Sequence, residues 1–102
     1  MIDWKEPWSE LWQPSNSFEI ELTKELRDGH VLYGTETHCI GRREDRDDFL
    51  FEVSGERLKY AVVHLTYSGG KESDTKLPIT IVYENIDEFI HRMNEDNKEY
   101  MR

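Results

Sequence analysis

At 102 residues the chain is long enough for one domain with a single core and little more. Its 13 basic and 22 acidic residues leave a net charge of −9. That balance repels a phosphate backbone or an anionic lipid surface, so nucleic acid and membrane are excluded as expected partners and a basic protein surface is favoured. Charged residues make up 34% and hydrophobic ones 36% of the chain, but aromatics reach 12%. A core of few, large side chains is therefore expected rather than disorder. The lone cysteine, Cys39, allows no disulfide within the chain. The first residues hold no apolar signal core, and no apolar run approaches a membrane span, so a cytoplasmic protein is expected.

Residues 1–14 are rich in tryptophan. Trp4, Trp8 and Trp12 recur at helical spacing, and Pro7 suits the first position of a short helix reaching Gln13. Such a helix would pack Trp8, Leu11 and Trp12 onto the core. Ser15, Asn16 and Ser17 then offer N-cap side chains for a helix from Phe18 to Asp28, with Phe18, Leu22 and Leu26 on one stripe and Gly29 at its C-terminal end. Phe18, Ile20 and Leu22 also alternate, which would suit a strand. His30 to Ile40 reads as a first strand with Gly34 at a bulge, and Gly41 to Asp48 as a charged turn. Phe49 to Val53 forms a second strand that turns at Ser54, Gly55 and Glu56.

The least charged stretch, Leu58 to Tyr67, is rich in β-branched and aromatic residues and reads as the central strand. Alternation gives it an aliphatic face of Ala61, Val63 and Leu65. The opposite, mixed face carries Leu58, Tyr60, Val62, His64 and Thr66. A loop from Ser68 to Pro78 leads to a fourth strand, Ile79 to Tyr83. Asn85 or Asp87 then caps a last helix with a stripe of Ile86, Phe89, Ile90 and Met93, whose Glu- and Asn-rich end is expected to fray. The expected fold is α+β: one domain, 1–102, with a four-stranded antiparallel meander and an N-terminal and a C-terminal helix packed on one face.

Gly-His-Val-Leu-Tyr-Gly at 29–34, Asp-Asp-Phe-Leu-Phe-Glu-Val at 47–53 and Tyr-Ala-Val-Val-His-Leu-Thr-Tyr-Ser-Gly at 60–69 resemble a group of small bacterial single-domain proteins of unknown function. The resemblance spans roughly Gly29 to Tyr83 and implies no activity.

Candidate chemistry is sparse. His30, His38, His64 and His91 lack metal-ligand spacing, and adjacent His38 and Cys39 point to opposite sides of a strand, so neither metal nor cofactor is expected. Glu44 to Asp48 lacks the glycine of a calcium loop and is interleaved with arginines. Ser68, Gly69, Gly70 and Lys71 form half of a phosphate loop with no helix after it. Cys39 has no base beside it, which fits a buried, inert thiol. Glu36 and Glu52 are expected to share the mixed face with His64 and Tyr60, where an acid–base pair would be sensible chemistry, although polar residues on a solvated sheet face are the ordinary pattern.

These features favour a non-catalytic domain that binds another protein or itself, for example an immunity-type inhibitor facing a basic toxin. Its expected contact surface is Tyr60, Val62, His64 and Thr66 with Glu36, Glu52 and His38. The alternative is a small-molecule binder or enzyme with a pocket between the sheet and the N-terminal tryptophans.

Overall fold

A computed structural model describes residues 2–11, 16–72 and 74–102. Among them the chain forms β1 (Trp8–Glu10), α1 (Ser17–Glu25), β2 (Glu36–Arg43), β3 (Asp48–Ser54), β4 (Lys59–His64), β5 (Thr80–Tyr83) and α2 (Ile86–Tyr100). The class is α+β as expected, but the antiparallel sheet has five strands, in the order β1-β2-β3-β4-β5.

The extra strand comes from the tryptophan segment. Trp8 to Glu10 pairs with Arg43 to Gly41 instead of forming a helix. Pairing closes part of the β2 edge and turns Trp8 onto the mixed face, where it is buried edge-on against Phe89 with ring centroids 5.1 Å apart. A helix over this stretch would leave that edge of β2 unpaired, so tertiary pairing overrides local spacing. The position expected for Trp12 lies outside the described residues. Trp4 packs over Gly41. A β-carbon at Gly41 would lie 2.4 Å from the Trp4 ring, so only glycine fits beneath it.

The two helices lie on opposite faces of the sheet, not on one. Leu22 and Leu26 join Cys39, Phe49, Phe51, Val53, Ala61, Val63 and Leu65 on the aliphatic face. Phe89 and Met93 of α2 join Trp8, Leu50 and Val62 on the mixed face, flanked by Ile2, Trp4, Ile40, Tyr60 and Tyr83. The cause is in β3 and β4 themselves, where Phe49, Leu50 and Phe51 in a row, and Ala61, Val62 and Val63 in a row, are all buried. Strands that are apolar on both sides need a cover on both sides.

Local boundaries shift for identifiable reasons. Helix α1 stops at Glu25 because Leu26 is already extended, with ψ 133°. His30 to Thr35, expected as strand, is a chain of tight turns closed by backbone bonds from Tyr33 to His30 and from Thr35 to Leu32. Gly29 and Gly34 take positive φ there, at 102° and 79°. The irregularity in β2 falls between Cys39 and Gly41, not at Gly34. Asn85 caps α2 as expected by accepting from the Glu88 amide, and the helix runs to Tyr100. Among the described residues no helix is long and apolar enough to cross a membrane.

Leu65 is 1% exposed within the aliphatic-face core. Its truncation to alanine should cost about 2–5 kcal/mol, the range for a buried leucine, read from denaturant melts. A change within measurement error would place Leu65 outside the core.

Candidate functional site

The mixed face of β4 carries a charged network at its far end. Register sets His64 opposite Asp48, and His64 Nδ1 lies 2.7 Å from Asp48 Oδ1. Asp48 is 2% exposed. Its other oxygen faces Arg46 Nε at 3.2 Å and an Arg92 nitrogen at 3.6 Å. One helical turn along, Asp96 takes hydrogen bonds from Arg92 Nε at 3.3 Å and Trp8 Nε1 at 2.9 Å, and pairs with Arg43 at 3.4 Å. A buried carboxylate is tolerable when flanked in this way by cations. The network also ties α2 to β2, β3 and β4, with Asp48, Asp96, Arg92 and Arg43 each meeting more than one partner.

A histidine oriented by a buried carboxylate is half of a nucleophile-activating arrangement. The candidate hydroxyl and thiol are placed elsewhere. Cys39 belongs to the opposite face, where burial, and then the nearby Glu19 carboxylate, push its thiol up to about 12. Thr66 Oγ1 donates to Glu72. Among the described residues, no three His, Cys, Asp or Glu side chains come together as a metal site.

The expected contact surface does not form as one patch. Val62 is 3% exposed beneath α2, so it is core and cannot touch a partner. This face is covered by α2 together with Trp4 and Trp8. The space expected between sheet and tryptophans is filled by Phe89 and Met93, with Trp4 and Phe89 rings 6.3 Å apart. Glu52 stands in register between Tyr60 and His38. Burial, and then Glu52, push the Tyr60 phenol up. Glu36 pairs with Ser54 at the other end of β3 from Asp48, about 20 Å away at the rise of a strand. His38 Nδ1 instead meets Glu19 at 3.3 Å.

Thr66 lies past the end of β4, held by a residue that the sequence reading missed. Glu25, 0% exposed at the end of α1, accepts from the Thr66 amide at 3.0 Å and the Tyr67 amide at 2.8 Å. Those bonds fix a turn in which Tyr67 takes φ 56°. The available signal was Glu25 three positions after Leu22, on the apolar stripe itself. Burial, then a hydrogen bond with the Glu21 side chain, raises the Glu25 carboxyl from 4.5 to about 7. The folded chain therefore holds this proton more tightly than the unfolded chain, and Glu25's contribution to stability falls as pH rises from about 4.5 to about 7. Glu25→Gln removes the titration but keeps an acceptor. Urea melts at pH 5 and pH 8 should show wild type losing stability relative to the variant at the higher pH. A difference independent of pH would refute the buried-proton account.

The second missed feature is the edge of β5. The His64 amide donates to the Ile79 carbonyl, and the register continues as Val62 with Ile81 and Tyr60 with Tyr83. In an antiparallel ladder the intervening residues, Thr80 and Val82, direct both N–H and C=O away from β4. Pro78 has no N–H to offer, and the Glu84 amide is taken by Glu88 Oε1 at 2.7 Å. Ile79 and Ile81 are exposed beside this window, at 60% and 46%. A groove of about 490 Å³ lies on the aliphatic-face side, lined among others by Val31, Leu32, Val53 and Val82. A hollow of about 600 Å³, lined by Val82, Tyr83, Asp87, Glu88 and His91, lies where β5 meets α2. Val82 belongs to both.

Comparison with known proteins gives no match to a family model, to a curated protein or to a solved structure.

Proposed function

We propose that this chain is a non-catalytic binding domain for a basic protein partner. The supporting observation is the distribution of its charge. Glu84, Asp87, Glu88, Glu95 and Glu99 are all exposed along the end of β5 and the outer side of α2, with Glu84, Glu95 and Glu99 paired to Lys59, Lys98 and Arg102 and Asp87 and Glu88 in no ion pair among the described residues. The basic side chains of the β2–β3 region are drawn into the Asp48 and Asp96 network instead, through Arg43 and Arg46. A carboxylate-lined surface steers a basic partner and repels an acidic one. An immunity-type inhibitor of a basic toxin is one protein of this kind. Self-association is disfavoured by the net −9 that each copy would bring.

Selection from a random displayed-peptide library tests this reading. Enrichment of Lys- and Arg-containing sequences is expected, with affinity that weakens as salt is raised. Selection of sequences with no charge bias, or binding insensitive to salt, would contradict it.

A further inference from the structure

We propose that the open edge of β5 is a strand-addition site, taking an extended segment of the partner whose side chains alternate between apolar and basic. This rests on the protein-binding reading above and names its site.

The edge is open over a defined window. Pro78 ends it on one side and the Glu88-capped amide of Glu84 on the other, leaving two donors and two acceptors on Thr80 and Val82. On the opposite side of the sheet two outward amides are occupied. The Cys39 amide, which β1 does not reach, donates to Glu19 at 2.9 Å, and the Trp8 amide of β1 donates to Lys5. Exposed edges invite pairing, and on β5 the open backbone lies beside the exposed side chains of Ile79 and Ile81. The window is also braced before any ligand arrives. His30 accepts from the Leu32 amide through Nδ1, and its Nε2 lies 2.9 Å from the Pro78 carbonyl, which fixes the entry to β5 and reduces the ordering cost of binding.

The surroundings specify the occupant. An added strand sends alternate side chains to opposite sheet faces. On one side it meets the groove floored by Val31, Leu32, Val53 and Val82, which suits aliphatic side chains. On the other it meets Asp87 and Glu88, which suit lysine or arginine. A second copy would instead carry a further −9 onto a carboxylate-rimmed edge.

The probe is a synthetic peptide, acetyl-Gly-Lys-Val-Lys-Val-Lys-Val-Gly-amide, compared with a block control, Gly-Lys-Lys-Lys-Val-Val-Val-Gly. Titration calorimetry and amide NMR shifts would be recorded on wild type, Val82→Pro and Asp87→Lys. The Val82 N–H points away from β4, so proline removes an edge donor without breaking the β4–β5 ladder. The alternating peptide should bind at least about tenfold tighter than the block control, shift the Thr80 and Val82 amides most, and weaken at least about tenfold on Val82→Pro and several-fold on Asp87→Lys. Binding that leaves Thr80 and Val82 unshifted overturns the edge assignment but keeps the basic-partner reading, whether or not Val82→Pro folds. Equal binding of the block control overturns strand addition. Absence of binding by both peptides, together with a library selection lacking basic sequences, removes the functional reading itself. Thr80 and Val82 shifts that grow with protein concentration alone would assign the edge to a second copy and overturn the proposed occupant.

Discussion

The structure depends on one constraint: the β3–β4 pair is apolar on both faces. Phe49, Phe51, Ala61 and Val63 face one way, Leu50 and Val62 the other, and all are nearly or fully buried. Neither face can be left to solvent without exposing a large continuous patch. The chain meets the constraint with its two helices, one per face. It supplements α2 with the tryptophan segment, which also adds a strand. Buried polar groups sit where these layers join. Asp48 and Asp96 bind α2 to the sheet through arginines, and Glu25 binds α1 to the chain leaving β4. Leaving any of these carboxylates without partners would cost more than the bonds contribute when made.

Once both faces are covered, the sheet margins are what the proposed binding can use. At one margin Glu19 takes the Cys39 amide and the Lys5 carbonyl takes that of Trp8. At the other, β5 presents two residues whose backbone is unpaired, between two concave surfaces of different character. Backbone pairing would supply affinity there and the alternating side chains specificity. On the proposed reading the acidic charge acts at the junction of β5 and α2.

Much of this was legible in the sequence. Alternation in Leu58–Tyr67 identified an interior strand and its two faces, although the central strand of the five is β3, and Asn85 with the Ile86, Phe89, Ile90 and Met93 stripe identified α2. The errors share a physical origin. Helical spacing of tryptophans is a local signal, whereas the strand at Trp8 is stabilised by a partner 35 residues away, Arg43. Val62 was assigned to an exposed surface because alternation alone does not say that both faces are covered. The three-residue apolar runs in β3 and β4 did carry that information. Tyr60, His64 and Thr66 share a parity along the chain, yet the strand ends at His64, so parity could not bring Thr66 to their face. The β5 edge leaves no trace in composition, because it is a property of strand order and hydrogen-bond phase.

The openness of the β5 edge can be measured without any ligand, by native-state amide hydrogen exchange resolved residue by residue. The Cys39 amide, bonded to Glu19, should exchange slowly, as should the ladder amide of Val62. The Thr80 and Val82 amides should exchange close to the rate of an open chain. Protection of Thr80 and Val82 equal to that of Val62 in dilute monomer would mean that the β5 edge is already covered, and would contradict the account.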